Sequence, residues 1–167
     1  MKNSIRFVIS PCSLGYVLVA ETANGICAIA LDDDEQALSA YLQNLFPKAL
    51  LIPNHHSIER AAQVLALIEA PQLPCSLPLD IQGTAFQQQV WQALRAIAPG
   101  TTLSYSQLAE AIGAPKAVRA VAGACAANKL AVAIPCHRII HKNGNNSGYR
   151  WGVARKAELL RREQLKP

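Results

Sequence analysis

Ser104-Tyr105-Ser106-Gln107-Leu108-Ala109-Glu110-Ala111-Ile112-Gly113-Ala114-Pro115 runs directly into Lys116-Ala117-Val118-Arg119-Ala120-Val121-Ala122-Gly123-Ala124-Cys125-Ala126-Ala127-Asn128-Lys129. Ser104 can cap a helix start, and Leu108, Ala109 and Ile112 then recur on one face. Gly113 and Ala114-Pro115 end that helix, because proline lacks an amide hydrogen and crowds the turn before it. The spacing predicts a second helix over 116–129, opened by basic residues and built of small ones. Helix, short glycine-containing turn, small-residue helix is the pattern of a helix-turn-helix, although many helical hairpins share it. Two features favour a DNA-binding version. Lys116, Arg119 and Lys129 lie on or just beyond the second helix, and its alanines and glycine would let a backbone approach a duplex closely. Cys125 among these alanines reads as a small packing residue.

Just downstream stands Ala133-Ile134-Pro135-Cys136-His137-Arg138-Ile139-Ile140. Pro135 fixes its own φ and biases Ile134 to extended geometry, so Cys136 belongs on a tight turn and not inside a helix. A thiol held there can be rigid and still reachable. It attacks as thiolate, a form favoured by nearby positive charge or a base, and His137 and Arg138 supply candidates for both. An inert, buried cysteine beside a surface pair fits Pro-Cys-His equally well. His141 to Gly148 is a turn-rich loop, and Tyr149-Arg150-Trp151-Gly152 leads to a last helix from Val153 to Gln164, with Ala157, Leu159 and Leu160 inward. Glu163 is one of only three acids after residue 80. Packed beside the turn it would orient His137 in a Cys/His/Glu relay; otherwise it points into water.

Upstream, Gly83-Thr84 caps a helix carrying Phe86, Val90, Trp91, Leu94 and Ile97, a spacing of core residues and not of a stacking platform. Pro71, Pro74 and Pro78 mark residues 71–79 as a linker, dividing an α+β domain (1–79) from a mostly helical one (80–167). In the first domain, residues 4–10, 15–20 and 26–31 read as an antiparallel meander, with turns at Pro11-Cys12-Ser13-Leu14 and Asn24-Gly25. Asp32 to Glu35 place acids at the start of a helix bearing Ala37, Leu38, Tyr41, Leu42 and Leu45. A second helix is expected over 57–70, with Ile58, Ala61, Ala62, Leu65 and Ile68 on one face.

The net charge of +5 divides unevenly: residues 1–80 hold four Lys/Arg and eight Asp/Glu (−4), residues 81–167 twelve and three (+9). A basic half of that size points to a polyanion, most simply nucleic acid, where scattered solvated charge would leave the segregation unexplained. No apolar run is long enough to span a membrane, and no export signal is legible. Five cysteines without a C-x-x-C pair suit reduced thiols in a cytoplasmic protein. Cys12, Cys27, His55 and His56 could meet around a metal, but their spacing does not demand it, and His55-His56 reads more simply as a loop. A cysteine hydrolase built on Cys136 and His137 is a further reading, weakened because adjacent residues rarely form a direct nucleophile–base pair.

Taken in order, Gly83-Thr84-Ala85-Phe86-Gln87-Gln88-Gln89-Val90-Trp91, Ser104-Tyr105, Ala117-Val118-Arg119-Ala120-Val121, Asn128, Ile134-Pro135-Cys136-His137-Arg138 and Gly148-Tyr149-Arg150-Trp151-Gly152 with Arg155-Lys156 resemble the O6-alkylguanine-DNA alkyltransferases. The N-terminal half is similar to the corresponding part of the family's bifunctional bacterial members. Their zinc-binding, transcription-activating modules have no counterpart in these residues, so the resemblance carries the repair activity and not the regulatory one. It implies a ribonuclease H-like N-terminal sheet with helices and a helical C-terminal domain containing a helix-turn-helix. It also implies a monomer acting without metal or cofactor on double-stranded DNA containing O6-alkylguanine, with O4-alkylthymine left open as a second substrate. Cys136 would accept the alkyl group irreversibly, once per molecule. His137 would act through a water as its base, held by Glu163, while Tyr105 protonates or hydrogen-bonds the leaving guanine and Asn128 braces the turn. Arg119 would replace the flipped nucleotide, with Lys116 and Ala120 also at the DNA, and Tyr149 and Arg150 would belong to the loop closing on the base. A non-catalytic helix-turn-helix lesion sensor is the alternative; it would have no need of a nucleophile at this point.

Overall fold

Alternating β-branched and aromatic residues joined by two-residue turns build the meander as expected: β1 (Ser4–Cys12), β2 (Gly15–Thr22) and β3 (Gly25–Asp32) are antiparallel. The computed structural model describes residues 4–53, 58–144 and 148–164; His55, His56 and Ser57 lie outside them. The first turn is tighter than expected, only Ser13-Leu14, so Pro11 and Cys12 belong to β1 and pair with Tyr16 and Gly15. Proline is tolerated there because the other edge of β1 is paired only at residues 4–7, leaving no partner for the missing amide. That pairing is parallel, to a short strand absent from the sequence reading, β4 (Leu50–Pro53), giving the order β3-β2-β1-β4. With four residues, an exposed Leu50 and a terminal proline, β4 carries almost no strand signal.

Two helices belong to this half. Asp34 caps α1 (Glu35–Leu45), its carboxylate accepting from the Gln36 amide, and Leu38 and Leu42 are buried. In α2 (Ile58–Glu69) the inward face is Ala61, Val64, Leu67 and Ile68. Ala62 is exposed, since the larger Val64 and Leu67 shift the apolar stripe by about a quarter turn.

The outer edge of β3 is closed from both sides of the chain. Ile26 bonds residues 78–80, and Ile29 bonds residues 129–131, its N–H donating to Lys129 O at 2.8 Å while Ala131 N–H donates back at 3.1 Å. An otherwise open sheet edge thus becomes the anchor for the segment leading into the cysteine turn. Gly25 permits the first contact: a Cβ there would lie 2.6 Å from Pro78 O.

In the second half, Thr84 and Gln87 form a capping box at the start of α3 (Ala85–Arg95). Ser104 and Gln107 form another, at the start of α4 (Tyr105–Ala111). The helix expected over 116–129 is shorter, α5 (Val118–Ala126); Lys116 precedes it in a turn and Lys129 follows it. Trp91 fastens α5 to α3 by donating its indole N–H to Ala124 O at 2.8 Å, and Gln89 holds the α4–α5 turn through Ile112 O. Lys129 turns away from α5, donating to Gln82 O and lying over the Phe46 ring. β5 (Leu103–Ser104) and β6 (Ile139–Ile140) pair in parallel, and α6 (Val153–Glu163) closes the chain. One continuous apolar core joins Leu18, Ile29 and Leu42 to Leu94, Leu108 and Leu159. Among the described residues, no helix is long and apolar enough to cross a membrane.

Candidate active site

Cys136 begins a 3₁₀ turn, Cys136–Arg138, prepared by two γ-turns. In the first, Ala133 N–H donates to Ala131 O at 2.7 Å around Val132. The Val132 φ of 68° is left-handed, a conformation that costs a β-branched residue about 1–3 kcal/mol. In the second, Pro135 sits at φ −82°, ψ 63° and Cys136 N–H donates to Ile134 O at 2.8 Å, an inverse γ-turn. The turn expected from Pro135 is therefore present, and it is held on one side by the β3 edge.

Asn128, fully buried at the end of α5, ties this geometry together. Its Oδ1 accepts from Leu130 N–H, and its Nδ2 donates to Ile134 O at 2.9 Å and to Cys136 Sγ at 3.2 Å. The expected bracing residue thus also touches the sulfur. Burial pushes the Cys136 thiol up to about 11, against the opposing pull of Asn128, then Lys156, its own backbone and Arg150. At rest it is a neutral thiol.

His137 and Glu163 meet as proposed, with 2.5 Å between His137 Nε2 and Glu163 Oε1. Both side chains are completely buried. Glu163 also accepts from Arg138 Nε at 2.9 Å and from Gly100 N–H at 3.2 Å. Burial opposes its ionisation, yet His137 and Arg138 hold its carboxyl below the ordinary 4.5. Burial lowers His137 below 6.5, partly offset by Glu163. Those two directions agree on a neutral imidazole donating Nε2–H to a carboxylate whose counter-charge is Arg138. The Nδ1 lone pair is then an acceptor, buried and without a protein partner among the described residues. Arg138 braces the turn: beyond Glu163 it donates to Ile97 O at 2.7 Å and Pro71 O at 3.1 Å.

Tyr105, at the first position of α4, is half-buried, with its ring 5.4 Å from that of His141. Burial, then the fields of Cys125 and Cys136, raises its hydroxyl above 10, so it remains a proton donor. Tyr149 is buried, edge-on to Trp151, and its hydroxyl lacks a protein partner among the described residues; burial and then Cys136 hold it well above 10. Arg150, exposed, turns toward the N-terminal half, its guanidinium 5.5 Å from the Tyr41 ring centre. Arg119 and Ala120 lie on the exposed face of α5 and Lys116 on the turn before it.

Lys156 was missed by sequence reasoning. It is the largest fully buried side chain among the described residues, and burial lowers its ammonium below 10.5 while Cys136 and Cys125 raise it. The inward face of α6 is Lys156, Leu159, Arg162 and Glu163, and Ala157 is exposed where it was expected inside. Apolar periodicity misplaced the face because three of its four members are charged. A stripe counted backward from Glu163 at helical spacing would have reached Leu159 and Lys156.

The family described as "6-O-methylguanine DNA methyltransferase, DNA binding domain" matches residues 85–165. The chain is 57% identical over 161 residues, 96% of its length, to the bifunctional transcriptional activator/DNA repair enzyme Ada of Escherichia coli, of which it spans only 46%. It is 36% identical over 144 residues to the inducible methylated-DNA–protein-cysteine methyltransferase of Bacillus subtilis, covering 85% of this chain and 80% of that one. The structure of Mycobacterium tuberculosis OGT in complex with DNA superposes with a TM-score of 0.79 at 31% identity, over 95% of this chain and 92% of that one. By that identity and coverage, the chain belongs to the methylated-DNA–protein-cysteine methyltransferases.

Proposed function

We propose that this chain repairs O6-alkylguanine in duplex DNA by transferring the alkyl group irreversibly to Cys136. The observation that carries this reading is the buried chain Glu163–His137 beside Cys136, which leaves Nδ1, without a partner among the described residues, as a base next to a neutral thiol. Through a water, Nδ1 takes the thiol proton as the sulfur attacks the alkyl carbon. The S–C bond forms, the C–O6 bond breaks, and its electron pair returns to guanine, where Tyr105 donates a hydrogen bond or proton. Asn128 Nδ2–H and the nearby Lys156 ammonium offset the cost of a buried thiolate. The product is a thioether with no good leaving group, so each molecule acts once.

The alkyl group of a stacked base cannot reach a buried thiol, so the nucleotide must leave the duplex at a cost of a few kcal/mol. We read α4–α5 as a helix-turn-helix with α5 toward the DNA. Three features support this. The N-terminus of α5 has no side-chain cap, leaving its amides for phosphate beside Lys116. Gly123 is exposed with nothing near the position of a Cβ, a helix-interior glycine that only close approach of a ligand rewards. Arg119 is the one long side chain on the exposed face formed with Ala120, Gly123 and Ala126, suited to fill the vacated stack. The strand order β3-β2-β1-β4 supports the ribonuclease H-like reading of residues 1–79, with residues 80–167 as the working domain. The protein would act in the cytoplasm as a monomer, with O4-alkylthymine a second candidate substrate.

Titration with excess duplex bearing O6-methylguanine tests the reaction type. Restored guanine is expected to plateau at one equivalent per chain, and continued turnover would overturn irreversible transfer.

A further inference from the structure

The loop beside the thiol is hinged by two glycines in the left-handed region, Gly148 at φ 92° and Gly152 at φ 105°. Between them, Tyr149 and Trp151 are buried and pack edge-on, while Arg150 reaches outward. The loop is tied to the N-terminal half at two points. The first is Arg155, which donates to Trp151 O at 3.0 Å, to Leu14 O at 2.8 Å in the β1–β2 turn, and to Asp33 Oδ1 at 2.6 Å. Gly15 keeps this corner open, since a Cβ there would lie 2.8 Å from Asp33 Oδ1 and 3.2 Å from Arg155 Nη2. Arg155 secures the base of the loop at the start of α6. The second tie is Arg150 on α1, with its guanidinium over the Tyr41 ring and Nη1 donating to Tyr41 Oη at 3.4 Å.

We infer that Tyr41 is a positioning residue for the transfer reaction: through Arg150 it holds the tip of the Tyr149–Trp151 loop beside Cys136. The inference rests on the function proposed above. Gly148 and Gly152 bend the loop at each end, the buried Tyr149 and Trp151 seat its inner side, and the exposed tip carries Arg150, whose contact to Tyr41 holds it from outside. Tyr41 supplies a half-buried aromatic face on a rigid helix, to which an arginine can dock without losing its water on the other side. Holding the loop before the flipped base arrives saves ordering it at the moment of reaction. The N-terminal half then does more than support its neighbour, because a residue on α1 fixes one wall of the base pocket.

Single-turnover rates with O6-methylguanine duplex test this in the full chain, with thermal unfolding recorded alongside. Tyr41→Ala should slow transfer about two- to fivefold, the loss expected for an exposed cation–π contact. Tyr41→Phe, which keeps the ring, should stay within about twofold of the parent. The decisive comparison is Tyr41→Ala in an Arg150→Ala background, where a tether acting through Arg150 predicts no further slowing. A merely structural role would slow both backgrounds equally and would overturn the inference, as would a Tyr41→Ala rate equal to the parent. If Tyr41→Ala does not fold, Tyr41→Leu, which keeps apolar volume on α1, carries the same expectations. Absence of any transfer by the parent chain would overturn the proposed function itself. Transfer by the parent with no effect at Tyr41 would overturn the tether alone.

Discussion

Around Cys136 a carboxylate, an imidazole, a guanidinium and an ammonium are all buried, and the carboxylate accepts from both the imidazole and the guanidinium. The exposed face of α5 holds one arginine and otherwise alanine and glycine. On the proposed function, the contrast separates two tasks. Chemistry at a thiol pushed up to about 11 needs fixed charges and a fixed base, and these are kept only where packing over-determines them. Recognition of a duplex backbone needs a smooth surface, open helix amides and one side chain long enough to enter the stack. Substitutions in the first region should therefore change the rate on every substrate, and substitutions in the second only on duplex DNA.

The largest effect belongs to His137. His137→Ala should slow transfer about a hundredfold or more on duplex and on free O6-benzylguanine alike. Its pH profile should change as well. With a neutral imidazole whose proton affinity is lowered, the parent rate should hold above pH 6.5 and fall only below it, as His137 gains its proton and can no longer accept one. Without His137 the rate should instead follow the free thiolate, climbing with pH toward about 11. Single-turnover rates across pH decide the matter, and an unchanged profile in the variant would remove His137 from proton transfer.

Arg119→Ala comes next. On its proposed role of filling the vacated stack, its loss should slow duplex repair about tenfold or more, the scale set by a few kcal/mol of unstacking. Reaction with free O6-benzylguanine should be nearly untouched, and equal losses on both substrates would break the division between the two regions. Gly123→Ala gives the smallest and most pointed effect. It should stabilise α5 by about 0.5–1 kcal/mol, seen as a higher unfolding midpoint, while weakening duplex binding. Tighter binding together with higher stability would show that the duplex does not approach this helix closely.

The two regions also differed in how legible they were. Capping residues, glycine–proline punctuation and apolar spacing located α3, α4 and the meander, because those signals are local. The Pro-Cys-His turn and the Glu163–His137 contact followed from proline geometry and the scarcity of acids, with the family resemblance deciding between open alternatives. Lys156 was hidden because periodicity counts apolar residues, and here a charged residue faces inward. β4 was hidden because an exposed four-residue edge strand is specified by its partner β1. The closing of the β3 edge by residues 129–131, like Arg150 on Tyr41, pairs groups roughly a hundred residues apart and has no local signature.

Intact-mass spectrometry after incubation with duplex O6-methylguanine, followed by peptide mapping, tests the central claim most directly. A single methyl increment on Cys136, missing in Cys136→Ala and absent from Cys12, Cys27, Cys75 and Cys125, is the predicted result. Restored guanine with no increment on the protein, or an increment on another residue, would contradict it.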